Sequence, residues 1–113
     1  MAVVLYHNPR CSTSRNALAL LRDQGVEPEV VEYLKTGWDP ATLRRLAAAT
    51  GLGLRGLLRT KEEAAKALIA RNASDDDILA AAVADPILIE RPIVETPKGA
   101  RIGRPVDRVL DVI

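Results

Sequence analysis

Two short apolar runs near the N-terminus constrain the fold more than any other feature of the chain. Residues 2–6 (AVVLY) and 29–34 (EVVEYL) have the length of strands, and the first is apolar throughout, as in a strand buried on both faces. Between them, the spacing of alanine and leucine predicts a helix over 12–24, with Gly25 as its stop. A strand, a helix and a strand within about 35 residues form a right-handed βαβ unit.

The middle of the chain has helical patterns, and the last third returns to strands. The predicted elements are, in order, a helix from Asp39-Pro40 to Gly51, a short glycine-broken helix, helices over 61–71 and 74–84, strands over 93–96 and 100–102 joined by a hairpin, and an amphipathic helix from Pro105. We therefore expect a mixed α/β sheet in a single domain, 1–113, with a helical insertion at 39–86.

Length, charge and cysteine count exclude several classes of protein. The 113 residues suit one domain, and the net charge of +1 gives no electrostatic basis for binding nucleic acid or an anionic membrane. No apolar run approaches the roughly 20 residues of a membrane span, and the N-terminus lacks the basic region of a signal peptide. A single cysteine allows neither an internal disulfide nor a cysteine zinc cluster. We expect a cytoplasmic protein without a bound metal or cofactor.

The segment HNPRCSTSRN, residues 7–16, holds the only cysteine and the only histidine. Cys11 lies where the first strand ends and the first helix begins, which is the usual ligand-binding edge of an α/β sheet. The positive end of the helix lowers a thiol pKa from about 8.5 into a range of about 3.5–7.5, and Arg10, Arg15 and His7 are expected to act in the same direction. The alternative is that Cys11 is a small buried hydrophobe.

Position 14 is serine, so the segment is not a C-x-x-C dithiol. If Cys11 is redox-active, the second thiol must therefore come from another molecule. The hydroxyls of residues 12–14 are candidates to bond the sulfur or to cap the helix.

Three arginines at predicted turns or element ends suit the capture of a tetrahedral oxyanion: Arg59, Arg91 and Arg104. The alternative is chance, because 16 basic residues will place several in turns. Arg91 precedes Pro92, and the X–Pro bond is the one linkage for which the cis form costs little. A cis-proline beside the cysteine loop would shape a substrate slot.

Four segments together resemble the glutaredoxin-linked arsenate reductase family: YHNPRCSTSRN at the start, LLR ending at Arg59, ERPIV at 90–94 and RIGRP at 101–105. The match is collinear over nearly the whole chain. With Ser12 after the cysteine and an end at Ile113, the chain is similar to a shorter branch of that family. The resemblance implies a thioredoxin/glutaredoxin-like fold with a helical insertion.

The resemblance also implies a chemistry for the segment. Cys11 matches the catalytic cysteine, whose thiolate forms an adduct with arsenate that glutathione and glutaredoxin then reduce to arsenite. Arg59, Arg91 and Arg104 match the oxyanion-binding arginines, and His7 and Ser14 match residues that assist the cysteine, with the Ser14 hydroxyl bonding the sulfur. Residues with supporting roles are Asn8, Arg10, Arg15 and Pro92.

Two other functions remain open at this point. The same thiol would serve a reductase of glutathione mixed disulfides. The chain also resembles Spx-type regulators, which share the fold and bind RNA polymerase, but those commonly carry the C-x-x-C switch that Ser14 interrupts here.

Overall fold

The computed structural model describes residues 2–113. The chain divides into two compact units, one formed by the chain up to Thr36 together with Arg91–Ile113, and the other by Gly37–Glu90. The helical insertion predicted at 39–86 falls within the second unit, which we call the helical unit; the first is the sheet unit. The single-domain assignment stays a prediction.

The sheet unit has four strands in the order β2-β1-β3-β4. Their bounds are β1 Val4–Tyr6, β2 Glu29–Val31, β3 Ile93–Thr96 and β4 Gly99–Ile102. β1 is central and parallel to β2, while β3 is antiparallel to both β1 and β4. With helix α1, Ser12–Asp23, between β1 and β2, this is the mixed thioredoxin-like sheet that the resemblance implies.

Packing of α1 and a C-terminal 3₁₀ helix, Val106–Val112, forms the core of the sheet unit. The buried cluster contains Val3, Leu5, Ala17, Leu21, Val94, Val109 and Val112. Leu5 and Val94 are fully buried and pair across β1 and β3, as expected for inner positions of the sheet. The first apolar run is therefore a buried strand, as its sequence predicts.

The second predicted strand is shorter than its apolar pattern indicates. β2 ends at Val31, and Tyr33–Thr36 forms a helical turn, α2, in place of the predicted strand to Leu34. The Glu32 carbonyl accepts hydrogen bonds from the N–H groups of Lys35 and Thr36 at 2.9 and 3.1 Å. The turn buries Tyr33 completely, and burial of this aromatic ring outweighs continued strand alternation.

The closing helix was predicted from a spacing typical of an α-helix, but it is a 3₁₀ helix. Its two buried side chains, Val109 and Val112, are three positions apart. That interval matches the three residues per turn of a 3₁₀ helix, so both side chains point to the core.

The helical unit contains four α-helices and a 3₁₀ helix: α3 Pro40–Thr50, α4 Gly53–Gly56, α5 Glu63–Ala70, α6 Asp75–Ala84 and the 3₁₀ helix Pro86–Leu88. Asp39 occupies the N-cap of α3 as predicted, although its side chain makes no capping hydrogen bond, and the helix signals at Gly51 and Ser74 are confirmed. Gly51 ends α3 with a left-handed φ of 74°, and the Ser74 hydroxyl caps α6 by accepting from the Asp77 N–H at 3.2 Å. None of the helices described over residues 2–113 is both long and apolar enough to span a bilayer.

Candidate active site

Cys11 occupies the N-cap of α1, at the carboxyl end of β1. Its backbone is extended, with φ −94° and ψ 122°, and its carbonyl accepts the Arg15 N–H at 3.0 Å. The side chain is partly exposed and is a free thiol. It makes no side-chain capping hydrogen bond, so the sulfur remains accessible beside the positive end of the helix.

The sheet register explains how two distant arginines reach Cys11. β1 ends at Tyr6, which lies opposite Ile93, and Ile93 lies opposite Ile102. The start of β3 and the end of β4 therefore meet the end of β1 at one edge of the sheet. Arg91 precedes β3 and Arg104 follows β4, so both enter the same edge as Cys11.

Arg104 contacts the Cys11 sulfur directly. Its Nη2 donates to Cys11 Sγ at 3.5 Å, and its Nε donates to the Arg91 carbonyl at 2.8 Å. The peptide bonds Arg91–Pro92 and Arg104–Pro105 are both cis. The sequence makes the first a candidate for the cis form, and the second is another X–Pro bond that adopts it.

The pKa of Cys11 is lowered. Burial raises the pKa, but this is outweighed by the Ser14 backbone N–H, by a hydrogen bond from the Arg91 guanidinium, and by the positive charges of Arg91 and Arg104. All of the lowering groups favour the thiolate. Within the sheet unit, Cys11, Arg91 and Arg104 thus form a nucleophile with two adjacent cations.

A buried polar network of His7, Asn8 and Ser14 supports the cysteine loop. His7 Nδ1 and Ser14 Oγ share a hydrogen bond of 2.6 Å, and the Asn8 N–H donates to the same Oγ at 3.0 Å. His7 and Asn8 are 5% exposed and Ser14 is fully buried. The Asn8 Oδ1 in turn accepts the Arg10 N–H at 3.0 Å.

This network changes the role expected for Ser14. The hydroxyl was expected to bond the sulfur, but it is engaged by His7 and Asn8, and the backbone N–H of Ser14 acts on Cys11 instead. Ser14 and His7 therefore fix the turn from which the helix starts.

His7 has a charged neighbour that was not identified from the sequence. Its pKa is lowered by burial first; Glu32 opposes this shift, while Arg15 and Arg22 add to it. The signal was present in the pattern, since His7 and Glu32 each directly follow one of two parallel strands. The ends of parallel strands lie side by side, so the residues that follow them become neighbours.

Arg10 and Arg15 do not act on the thiol as expected. Both are exposed, and the Arg15 Nη1 donates to the Pro9 carbonyl at 3.0 Å. Because Arg91 and Arg104 are the arginines that lower the Cys11 pKa, sequence proximity was a poor guide to the electrostatics here.

Arg59 lies in the helical unit, in a short extended segment. Its Nη1 forms an ion pair with Glu90 Oε1 at 2.6 Å, and its N–H donates to the Leu88 carbonyl at 2.7 Å. The bridge between Leu58 and Ile89 brings the two segments together. The side chain is 11% exposed, so this cation is held in a defined position by a carboxylate partner.

Gly103, which directly precedes Arg104, packs tightly against neighbouring side chains. A Cβ atom at this position would lie 2.9 Å from Pro92 Cγ and 3.0 Å from Val109 Cγ1, and the Gly103 N–H donates to the Pro92 carbonyl at 2.9 Å. The absent side chain lets the segment before Arg104 approach Pro92 closely. Over residues 2–113, no three His, Cys, Asp or Glu side chains cluster in a way that would hold a metal ion.

Comparison with known proteins places the chain in a family. The ArsC family profile matches residues 6–112. A protein named arsenate reductase from Rhizobium meliloti (strain 1021) is 46% identical over 115 residues, which span 100% of this chain and 82% of that protein. The Escherichia coli (strain K12) protein named uncharacterized protein YfgD is 48% identical over 114 residues, which span 98% and 96%.

A solved structure described as arsenate reductase from Vibrio cholerae superposes with a TM-score of 0.92 at 46% identity, covering 100% of this chain and 98% of that one. The family match therefore includes the segment around Cys11, Arg91 and Arg104 as well as the fold that brings these residues together. The chain belongs to the ArsC family.

Proposed function

We propose that the protein reduces arsenate to arsenite, or reduces a related oxyanion, through a covalent adduct on Cys11. The observation that carries this proposal is the thiolate-favouring Cys11 beside the guanidinium groups of Arg91 and Arg104. This arrangement combines a nucleophile with fixed cations that bind an oxyanion. The relatives named arsenate reductase support arsenate as the substrate.

In the first step, the Cys11 thiolate attacks the arsenic atom of arsenate. A sulfur–arsenic bond forms, and one arsenate oxygen leaves as water after taking up protons. Two like unit charges 4 Å apart repel by about 1 kcal/mol in water and about 4 kcal/mol near a protein surface. Arg91 and Arg104 offset this repulsion and stabilise the charge on the arsenate oxygens.

Reduction requires two further thiols, because Cys11 is the only cysteine of the chain. Glutathione displaces a second arsenic oxygen as water and forms a second sulfur–arsenic bond. The glutaredoxin thiolate attacks the glutathione sulfur, and the electron pair of that bond stays on arsenic, which becomes As(III). The two thiols leave as a mixed disulfide. Water then hydrolyses the bond between Cys11 and arsenic, which releases arsenite and restores the thiol.

The other residues of the site have distinct proposed roles. His7, Ser14 and Asn8 hold the loop, and Pro92 supports the segment of Arg91. Arg59 is a proposed third oxyanion ligand on the basis of the family resemblance alone. Its ion pair with Glu90 would have to open, or be shared with the anion, for Arg59 to bind it.

The proposal is tested by NADPH consumption with arsenate, glutathione, glutaredoxin and glutathione reductase. Cys11→Ser is expected to abolish turnover. Arg91→Lys is expected to lower kcat/KM at least about 10-fold, because an ammonium does not replace the planar guanidinium fork. Arg71→Lys is the matched control, since Arg71 is an exposed arginine paired with Asp77 in the helical unit. Undiminished turnover by Cys11→Ser would refute the adduct mechanism.

A second candidate is the reduction of glutathione mixed disulfides by the same thiol. It is favoured by the partial exposure of Cys11, since the sulfur is accessible to an external disulfide. The mixed disulfide of glutathione and 2-mercaptoethanol distinguishes the two: turnover of this substrate without turnover of arsenate would support the second candidate. Polymerase binding, the regulator hypothesis, is tested by co-purification with RNA polymerase, but Ser14 leaves the chain without the dithiol switch.

A further inference from the structure

A pocket of about 250 Å³ opens beside the cysteine loop, at the ends of the parallel strands β1 and β2. One wall is the loop 7–10, and the other carries Glu32, Leu34 and Lys35. The pocket belongs to the sheet unit, and the residues that act on the Cys11 sulfur are not among those that line it.

The chemistry of the pocket is mixed. Arg10 and Lys35 supply positive charge, Glu32 supplies negative charge, and Leu34, 42% exposed, supplies an apolar surface together with Pro9. A simple oxyanion makes no favourable contact with the apolar Leu34 side chain and is repelled by Glu32. A small molecule that carries carboxylates, an ammonium group and an aliphatic stem complements all of these features.

We propose that this pocket binds the γ-glutamyl end of glutathione, the thiol that the proposed function requires; the inference rests on that proposed function. Glu32 accepts hydrogen bonds from the α-ammonium group. Lys35 and Arg10 bind the α-carboxylate, and the aliphatic stem lies on Leu34. The volume is slightly below the roughly 300–1,000 Å³ of sites that enclose a drug-sized ligand, so the pocket holds part of the tripeptide and the rest extends outward.

The position of the pocket fits delivery of the glutathione thiol to Cys11. Arg10 lines the pocket, and its Cα is about 3.8 Å from that of Cys11 across a trans peptide bond. Glutathione has the length of three residues, about 10 Å when extended. Its central cysteine therefore lies within reach of an adduct on Cys11 when the γ-glutamyl group occupies the pocket.

The existing ion pair in the pocket is easily replaced. Lys35 Nζ lies 3.4 Å from Glu32 Oε1, and the Lys35 side chain is 77% exposed. Exposed pairs of this kind contribute little to stability. A zwitterionic ligand exchanges one weak pair for two new ones, one with each partner, so binding does not leave either charge alone.

The test uses S-methylglutathione, which cannot take part in thiol chemistry, titrated into the ¹⁵N-labelled full chain. We expect amide shifts at the non-proline residues of 7–10 and at 32–35, and at least a 5-fold weaker Kd in Lys35→Glu and in Glu32→Lys. Arg108→Glu is the charge-matched control, since Arg108 is an exposed side chain of the 3₁₀ helix Val106–Val112. Shifts confined to other residues, or an unchanged Kd in both pocket variants, would overturn the inference.

Kinetics separate this inference from the proposed function. If the protein reduces arsenate, Lys35→Glu should raise the KM for glutathione and leave the KM for arsenate unchanged. If that variant turns over arsenate with an unaltered KM for glutathione, the glutathione-binding role of the pocket is refuted, but the proposed arsenate reductase function is retained. If arsenate is not reduced, S-methylglutathione binding at 7–10 and 32–35 would retain the pocket while the function fails.

Discussion

The ionisation of Cys11 depends on groups that oppose the effect of burial. Burial alone would raise the thiol pKa, whereas the Ser14 N–H and the two guanidinium groups lower it. Of these contributors, Arg104 is the most informative to change, because it contacts both the sulfur and the carbonyl of Arg91.

Arg104→Gln is expected to raise the Cys11 pKa. The native pKa is lowered, so the thiolate persists to lower pH, and alkylation by iodoacetamide should reach half its maximal rate at a lower pH than it does for a cysteine in an unfolded chain. Removing one cation disfavours the thiolate, so the midpoint should move upward. Arg108→Gln should leave the profile unchanged. Identical profiles for Arg104→Gln and the native protein would exclude Arg104 as an activating group.

Ser14→Ala is expected to destabilise the fold while changing the thiol little. The variant leaves the buried Asn8 N–H and the His7 ring without their shared partner, at a cost of about 1–3 kcal/mol in the free energy of unfolding. The backbone N–H that acts on Cys11 is retained. Urea unfolding measures the first effect and the alkylation profile the second, with the exposed Ser12→Ala as control. A large rise in thiol pKa without loss of stability would assign the hydroxyl to the sulfur after all.

The segments that carry Arg91 and Arg104 pack against each other at Gly103, which has no side chain. Gly103 lies against Pro92 and Val109, which join the segment of Arg91 to the C-terminal 3₁₀ helix. We expect the position of Arg104 to depend on this close contact.

Gly103→Ala is expected to cost about 1–3 kcal/mol, since the added methyl group overpacks a filled contact. It should also raise the alkylation midpoint of Cys11, because Arg104 is the next residue and must shift. Gly25→Ala is the matched control: its φ is 76° and no atom lies within 4 Å of the added Cβ, so only backbone strain is introduced. If both variants keep the native thiol profile, the Gly103 contact does not position Arg104.

The sequence patterns predict the helices and strands more accurately than they predict the contacts between them. Strand β1, the start of α1 and the position of Cys11 between them follow from apolar spacing, because that spacing reflects which side chains are buried. The helical turn at Tyr33 was missed, because the fit of one aromatic ring depends on surroundings that a local pattern does not contain. Arg91 and Arg104 reach the thiol through the pairing of β3 with β1 and β4, whereas the nearer Arg10 and Arg15 are exposed and are not among the groups that lower its pKa. Which arginines reach Cys11 therefore depends on the order of the strands and on the direction of the side chains, and a local sequence pattern contains neither.

At the scale of the whole molecule, thiol activation belongs to one unit. The groups identified as lowering the Cys11 pKa are the Ser14 N–H, Arg91 and Arg104, and all three lie in the sheet unit. The helical unit has a separate set of fully buried side chains, among them Leu43 and Leu46 of α3.

Leu46→Ala is expected to lower the free energy of unfolding by about 2–5 kcal/mol, because it leaves a cavity at a fully buried position. The alkylation profile of the folded variant should match that of the native protein. Urea unfolding and circular dichroism establish the conditions under which the variant is folded. A midpoint shift as large as that of Arg104→Gln would show that thiol activation also depends on the helical unit.

The bonds made by the Ser14 hydroxyl have an evolutionary consequence. A cysteine at position 14 would complete a C-x-x-C dithiol with Cys11, and most serine codons differ from a cysteine codon by a single nucleotide. A thiol is a weak hydrogen-bonding group, and it would replace a hydroxyl that serves His7 and Asn8 in a fully buried position. A mutation that would add a second thiol near Cys11 is therefore expected to weaken the loop that presents Cys11, which disfavours the evolution of a dithiol at this site.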